Sequence, residues 1–454
     1  ALDLYFDRHD GQACTIEDWL TVFQDATGRD LTQFRRWYTQ GGTPRVKVSD
    51  HWADGTYTLT LEQMTSPTPD QPEKAPQVIP VAVGLLNHNG DEVVPTTVLE
   101  LTESRQSFRF DGLAAQPVPS ILRGFSAPVI LDHDQTDEER AFLLAHDTDP
   151  FNRWEAGRAL AKQVLARMVT DDASPGADWL AAMARVLRDD TLDPAFRALT
   201  LRLPGEDDMA QTLHTAGIVP DPDRIWRARK RLGEALAKYL AADLQDTYEA
   251  LAVPGPYSPD ARAAGQRALR LAVLSLISRL DGGMRATRAV ASADNMTDRI
   301  GALGCLIEAG GGGPELATFE RDWRGNRLVM DKWFAIQIAH AAPADAVAVT
   351  ARLTTRADFD WKNPNRFRAA IGALAGNHAG FHRADGSGYR LVADWLIRLD
   401  GLNPQTAARM STSFDTLSRY DADRQALMRD ELRRILAAPG LSRDLGEMAG
   451  RMLG

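Results

Sequence analysis

The sequence predicts a multidomain, mainly α-helical protein in which a small antiparallel β-sandwich is followed by an irregular α-helical superhelix of the α-solenoid type. The chain has 454 residues, too many for a single hydrophobic core. Period-two alternation of apolar residues is confined to residues 44–129, whereas helical spacing and capping signals fill residues 130–454. We therefore expect a β-sandwich domain at 44–129 and a C-terminal helical domain at 130–454, preceded by a separate segment at 1–43.

The opening segment, residues 1–43, begins directly in helical sequence. Thr15 stands three residues before Asp18, the spacing of a capping box, and an apolar run follows. A second amphipathic helix is predicted at 31–38, ending before Gly41-Gly42. Two short helices bury too little apolar surface to fold alone. We expect them to be the last helices of a larger domain, truncated here.

Four β-strands are predicted at residues 56–61, 81–85, 97–102 and 107–110. In the first of them Tyr57, Leu59 and Leu61 share one face and threonines occupy the other. A turn is expected at 87–90, and the proline-rich stretch 65–76 is expected to be a loop. Short alternating strands separated by Pro and Gly are typical of a small antiparallel sandwich.

The helical region is marked by repeated helix-start signals. Thr136 and Glu139 form a capping box. Six capping side chains stand directly before a proline, which is well tolerated at the first helical position. These pairs are Asp149-Pro150, Asp193-Pro194, Asp221-Pro222, Ser258-Pro259, Asn363-Pro364 and Asn403-Pro404. The helices follow closely but without a strict sequence period, which predicts an irregular superhelix rather than a known repeat.

Charge and cysteine content limit the partners and the compartment. A net charge of −10 argues against nucleic acid or an anionic membrane as partner. No apolar run approaches the roughly 20 residues of a membrane span. Cys14 and Cys305 are far apart and offer no disulfide framework, which is typical of a reducing compartment. We therefore predict a cytoplasmic protein.

A complete catalytic or metal-binding group is not found in the sequence. No His is followed by Glu, so the H-E-x-x-H zinc helix is absent. His378 and His382 form the one i,i+4 pair, but Ala379 stands where a general base would be needed. We interpret both as surface histidines at a helix–loop junction; a hydrolase built on them is a remote alternative.

Two glycine-rich stretches and one cysteine are also interpreted as structural. Residues 310–313 lack the Lys and Ser/Thr of a phosphate loop, and 386–388 lack the spacing of a nucleophile elbow. We expect 310–313 to be a helix–helix connection and 386–388 to be a turn. Cys305, among apolar residues, is expected to be a buried, inert thiol. The sequence therefore predicts no catalytic residue and no metal ligand in this chain.

Long segments along the whole chain resemble bacterial aminopeptidase N, a gluzincin zinc metallopeptidase family. DLYFDRHDGQA and FRRWYTQGGTP are similar to the end of that family's catalytic domain. SPTPDQPEKAP and QPVPSILRGFSAPV resemble its β-sandwich domain. ADNMTDRIGAL, NPNRFRAAIGALAGN and RYDADRQALMR resemble its C-terminal helical domain. The matches run in order along the chain.

The resemblance implies that this chain is the C-terminal half of a zinc aminopeptidase that removes N-terminal amino acids from small peptides. Residues 1–43 would be the last helices of a thermolysin-like catalytic domain, whose zinc-binding motif is absent here. Zinc would be the cofactor of the parent enzyme, and this chain alone would be inactive. Its partners would be the missing N-terminal and catalytic domains and small peptide substrates.

Two arginines are implied as substrate-channel residues in this family, whose helical domain closes over the active site. The matches to NPNRFRAAIGALAG and NPQTAARM place them at Arg368 and Arg409. An arginine can hold a peptide carbonyl or carboxylate by charge-assisted hydrogen bonds. Ordinary surface or salt-bridge arginines are an equally open interpretation, and Arg366, on another helix face, is the natural control.

A function of another class also remains open. The chain could be a freestanding β-sandwich and helical-solenoid module that binds a protein or peptide without enzymatic activity, since superhelices present concave binding surfaces. The apolar opening segment argues against it. The reading frame upstream of Ala1 distinguishes the two hypotheses.

Overall fold

The computed structural model describes residues 1–454, which form two compact units, Ala1–Ala159 and Leu160–Gly454. The boundary between the units falls within one long helix. The domain limits expected from the sequence remain predictions. None of the helices combines the length and apolar character that a membrane span requires.

The first unit contains seven β-strands in two sheets. The strands are β1 Arg45–Ala53, β2 Thr56–Met64, β3 Ile79–Leu86, β4 Glu92–Leu101, β5 Arg105–Phe110, β6 Val118–Ile121 and β7 Ile130–Asp132. One sheet has the order β5-β2-β1-β7 and the other β4-β3-β6. All pairings are antiparallel except that of β1 with β7, which is parallel.

The sandwich core is formed by the side chains that the period-two pattern places inward. Tyr57, Leu59 and Leu61 of β2 are all fully buried, while their threonine neighbours are only partly covered. The four predicted strands are confirmed as parts of β2, β3, β4 and β5. Strands β1, β6 and β7 were not predicted; β6 and β7 have four and three residues, too few to show a period.

Twenty-three helices complete the chain. They are α1 Leu2–His9, α2 Ile16–Thr27, α3 Arg36–Thr39, α4 Asp137–His146, α5 Pro150–Thr170, α6 Ala177–Arg188, α7 Pro194–Thr200, α8 Glu206–Thr215, α9 Pro222–Tyr239, α10 Ala241–Ala250, α11 Ala261–Asp281, α12 Met284–Ser292, α13 Met296–Glu308, α14 Gly313–Trp323, α15 Arg327–Ala339, α16 Pro343–Thr354, α17 Pro364–Phe367, α18 Ala373–Gly376, α19 His378–Phe381, α20 Ser387–Asp400, α21 Pro404–Ser411, α22 Ala422–Leu436 and α23 Arg443–Leu453. Neighbours in sequence pack together, for example α12 on α13, α14 on α15 and α22 on α23. This succession is the expected irregular superhelix.

The predicted helix starts are confirmed with one exception. Thr15 and Thr136 each close a capping box, and five of the six capped prolines begin helices, namely α5, α7, α9, α17 and α21. The start at Ser258-Pro259 is wrong. Helix α11 begins two residues later because the carboxylate of Asp260 accepts the hydrogen bond from the amide of Ala263 at 2.9 Å.

The opening segment lies against the sandwich within the first unit. The predicted helix at 31–38 is wrong in extent, because α3 spans only Arg36–Thr39. Long-range bonds fix this stretch instead: the indole Nε1 of Trp37 donates to the carbonyl of Val78 at 2.7 Å, and Gln33 Nε2 donates to the carbonyl of Thr102 at 2.6 Å. The backbone before α3 still forms turns, with the Arg35 amide donating to the Leu31 carbonyl at 2.9 Å, but these turns do not join α3 into one α-helix.

Candidate functional site

The first candidate arginine begins a π-helix. Asn363 caps α17, and the chain then forms a π-helical turn at Arg368–Gly372 before α18. Such π-turns are rare and frequently occur at functional sites. The side chain of Arg368 is exposed. Its Nη2 donates to Asn365 Oδ1 at 2.9 Å and its Nε to the Pro364 carbonyl at 3.2 Å.

The second candidate, Arg409, is exposed in the last turn of α21. Its neighbour Met410 lies beside the π-helix: a Cβ placed on Gly372 would be 3.4 Å from Met410 Cε and 3.7 Å from Arg368 Cβ. The side chain of Met410, one residue after Arg409, thus lies close to the π-helix that Arg368 begins.

Arg366 is buried, in contrast to Arg368 two residues later. Only 4% of Arg366 is exposed, and its Nε forms an ion pair with Asp331 Oδ1 at 2.5 Å. Its guanidinium also lies 4.4 Å above the ring of Phe334. Neither Arg368 nor Arg409 has a carboxylate within ion-pair distance. Arg366 is thus a structural residue, while the other two guanidinium groups keep donors available to a ligand.

The two histidines are buried, so their interpretation as surface residues is wrong. Only 8% of His378 and 4% of His382 is exposed. Nε2 of His378 lies 2.9 Å from the Tyr420 hydroxyl, and Nδ1 of His382 lies 2.9 Å from the Tyr389 hydroxyl. Desolvation lowers the pKa of His378 to about 4 and that of His382 well below its usual value. Both rings are neutral parts of the core.

The residues that bury the two histidines are distant in sequence, so the residues around His378 and His382 do not predict their burial. Gly380 admits close packing, because a Cβ there would be 2.7 Å from Ala346 Cβ. The tyrosines that form hydrogen bonds with the histidine rings are distant in sequence. Tyr389 lies in α20, and Tyr420 directly precedes the N-cap of α22. The helix–loop junction is therefore an interior one.

The remaining candidates are structural. Residues 310–312 connect α13 to α14, which begins at Gly313. The turn expected at 386–388 is confined to Gly386, with φ of 69°, because Ser387 and Gly388 already lie in α20. Cys305 is buried, and desolvation raises the pKa of its thiol to about 12. No three His, Cys, Asp or Glu side chains are close enough together to hold a metal ion.

Comparison with known families identifies two matching regions. Residues 137–454 match a family described as a domain of unknown function, DUF3458_C, with ARM repeats. Residues 42–134 match a companion domain of unknown function, DUF3458, with an Ig-like fold. These descriptions agree with the helical superhelix and the β-sandwich.

Relatives match over the whole chain. Aminopeptidase N of Caulobacter vibrioides is 41% identical over 462 residues, covering 100% of this chain and 53% of the relative. Aminopeptidase N of Escherichia coli is 37% identical, covering 100% of this chain and 54% of the relative. The chain spans about half the length of the curated relatives it matches.

A solved structure of similar fold is that of Legionella pneumophila aminopeptidase A in complex with aspartic acid. Its TM-score is 0.87 at 28% sequence identity, and the match covers 99% of this chain and 53% of that one. The fold and the sequence thus point to the same group of enzymes.

Proposed function

The chain belongs to the DUF3458_C family. Since all of it matches about half the length of aminopeptidase N, we propose that it is the C-terminal, non-catalytic half of an aminopeptidase that removes N-terminal amino acids from small peptides. The observation that carries this proposal is the 36–41% identity to three such enzymes, each matched over all of this chain and about half of its own length.

The opening segment supports a role within a longer polypeptide. Helix α1 buries none of its residues, and Leu2 and Phe6 are 56% and 59% exposed. Apolar side chains exposed together at one place mark a surface for another protein part. We propose residues 1–43 as the last helices of the catalytic domain, 44–129 as the sandwich domain and 130–454 as the superhelical domain.

The chemistry is assigned to the part of the polypeptide outside this chain. The donor set needed for zinc, three or four clustered His, Cys or carboxylate side chains, does not occur among these residues. The residues present therefore do not fit the metal, and zinc is proposed for the parent enzyme only. This chain alone would bind no zinc and hydrolyse no peptide.

The proposed role of this half is to enclose the active-site chamber and help select the substrates that enter. Arg368 and Arg409 are the residues proposed to face the peptide. Both are exposed and lack a carboxylate partner, so their guanidinium groups can bind the carboxylate at the end of a short peptide.

The free thiol of exposed Cys14 supports a reducing, cytoplasmic compartment.

Replacing Arg368 with alanine in the longer enzyme is expected to raise KM for a tripeptide about tenfold while kcat stays unchanged. The reason is that one charge-assisted hydrogen bond, roughly 1.5 kcal/mol, is lost equally from substrate and transition state. Arg409→Ala should behave alike. KM for an aminoacyl-anilide, which has no C-terminal carboxylate, should not change. Steady-state kinetics on the tripeptide and on the aminoacyl-anilide measure both effects.

Arg443→Ala is the matched control, because Arg443 is also exposed and lies on α23. It should leave both KM values unchanged. If Arg368→Ala and Arg409→Ala both keep the wild-type KM for the tripeptide, these residues do not contact substrate.

A further inference from the structure

A cavity of about 170 Å³ lies in the second unit, and none of its lining residues takes part in the proposed function. It is bordered by α10, α11, the loop after α10 and the turn between α12 and α13. We refer to it as the α11 cavity. Pockets for drug-sized ligands occupy roughly 300–1,000 Å³. The α11 cavity therefore fits a molecule of only a few heavy atoms.

Two arginines of α11 line this cavity. Arg267 is 4% exposed, donates its Nη2 to the Ser258 carbonyl and lies 4.5 Å below the ring of Tyr257. Arg270 donates its Nε to the Tyr248 carbonyl at 3.2 Å and stacks 4.3 Å over that ring. Neither forms an ion pair within the protein, although an arginine has five N–H donors. Arg267 is buried and Arg270 is partly buried, and the carboxylate of Asp260 acts on Arg267 electrostatically without forming an ion pair with it.

Two carboxylates line the same cavity. Asp294 and Asp298 flank the start of α13, and Asn295 Nδ2 donates to one oxygen of each, at 2.9 and 2.8 Å. A carboxylate accepts up to about four hydrogen bonds, so both retain acceptor capacity. The cavity thus offers two cationic and two anionic groups, and its formal charge balances.

Apolar side chains form part of the wall. Val253, Leu271, Leu274 and Ala289 line the cavity together with the charged residues. A small aliphatic group would be removed from water there. The lining therefore combines the three features needed by a molecule with a carboxylate, an ammonium group and a short aliphatic side chain.

We propose that the α11 cavity binds a small aliphatic zwitterion of the size of a free α-amino acid. Its carboxylate would accept hydrogen bonds from Arg267 and Arg270, and its ammonium group would donate to Asp294 and Asp298. This geometry would give a directly bonded anionic partner to two guanidinium groups that form no ion pair in the protein. The proposal concerns binding alone and is independent of the proposed function.

The test is isothermal titration calorimetry of the full chain with three matched probes. L-Valine carries both charged groups; isovalerate lacks the ammonium group and isobutylamine lacks the carboxylate. We expect saturable one-to-one binding of L-valine, at least tenfold tighter than that of either analogue. Equal affinity for L-valine and isovalerate, or no saturable binding of L-valine at millimolar concentration, would overturn the proposal.

Variants locate the binding. Arg270→Gln should weaken L-valine at least tenfold, because a charge-assisted contact is lost. Asp298→Asn keeps the shape of the side chain and should weaken L-valine while leaving the residual isovalerate affinity unchanged. Arg262→Gln, exposed on the same helix and outside the cavity, is the control. Should Arg270→Gln fail to fold, Asp298→Asn decides: unchanged L-valine affinity contradicts the proposal.

Discussion

Replacing Arg123 with alanine is expected to lower the free energy of unfolding of the first unit by about 3–5 kcal/mol. Arg123 is 3% exposed and pairs with Asp147 Oδ1 at 2.9 Å and with Glu92 Oε1 at 2.5 Å. Its Nε donates to Ser120 Oγ at 2.8 Å. Asp147 is only 2% exposed, and desolvation already raises its pKa. Removal of Arg123 leaves this carboxylate buried without a counter-ion.

Urea unfolding monitored by circular dichroism measures the effect on this unit's transition. Arg109→Ala is the matched control, since Arg109 pairs with Asp111 on the surface with both side chains about two-thirds exposed. It should change the free energy of unfolding by less than about 1 kcal/mol. A loss below 1 kcal/mol for Arg123→Ala would show that the buried pair does not stabilise the unit.

Gly84 provides a second probe of the same pair. A Cβ at this position would lie 2.2 Å from Arg123 Cζ, so β3 must pass the guanidinium with no side chain. Gly84→Ala should therefore displace Arg123 from its partners and destabilise the same unit. The expected destabilisation comes from steric contact and not from backbone strain, because Gly84 lies in the extended strand β3.

Lowering the pH from 7 towards 4 is expected to destabilise the second unit through His378 and His382. Their pKa values are depressed in the folded protein, to about 4 for His378. Below pH about 6.5 the unfolded chain therefore binds protons that the folded chain does not, and stability falls as pH falls. Each histidine contributes up to about 1.4 kcal/mol per pH unit in this window. Above pH 7 neither histidine contributes to the pH dependence of the unfolding free energy.

Neighbouring charges shape this pH dependence. Glu206 Oε2 lies 3.7 Å from His378 Nδ1, and burial raises the pKa of Glu206. Its protonation offsets part of the loss at the acid end. Asp207 favours the charged imidazole of His378, while Arg229, Arg419 and Arg424 oppose it. Desolvation nevertheless dominates the shift.

The contribution of one histidine is isolated by comparison of wild type with His378→Gln, which keeps a polar group near Tyr420. The unfolding free energy of this variant, measured by urea titration at pH 7, 6 and 5, should fall less steeply with acid. His88→Gln, exposed between β3 and β4, is the control for loss of a histidine. Identical slopes for wild type and His378→Gln would contradict the buried-neutral assignment.

Local signals predicted most of the fold, and long-range contacts account for the errors. The alternation around Tyr57 and the capping box at Thr136 depend on neighbours in sequence, and both were correct. The predicted helix at 31–38 forms turns before the short α3, and the side chains of Trp37 and Gln33 bond to the carbonyls of Val78 and Thr102, which lie next to β3 and β4 and are distant in sequence. Strand β7 has three residues and is defined by its pairing with β1. No local pattern contains that information.

The same division holds for the candidate site. Only the family resemblance predicts Arg368 and Arg409 as site residues. Tertiary structure determines their exposure, the π-helix at Arg368 and the burial of Arg366. His378 and His382 have correct helical spacing for a paired site, but burial beside Tyr420 and Tyr389 decides their role. The α11 cavity joins residues more than 40 positions apart along the chain.

The proposed function requires that the zinc peptidase chemistry lie in a part of the polypeptide outside this chain. The direct measurement is zinc content and aminoacyl-anilide hydrolysis, compared between the isolated 454-residue chain and the full product of its gene. We expect one zinc ion and turnover in the full product and neither in the isolated chain. Stoichiometric zinc or robust turnover in the isolated chain, or a start codon near Ala1, would contradict the account.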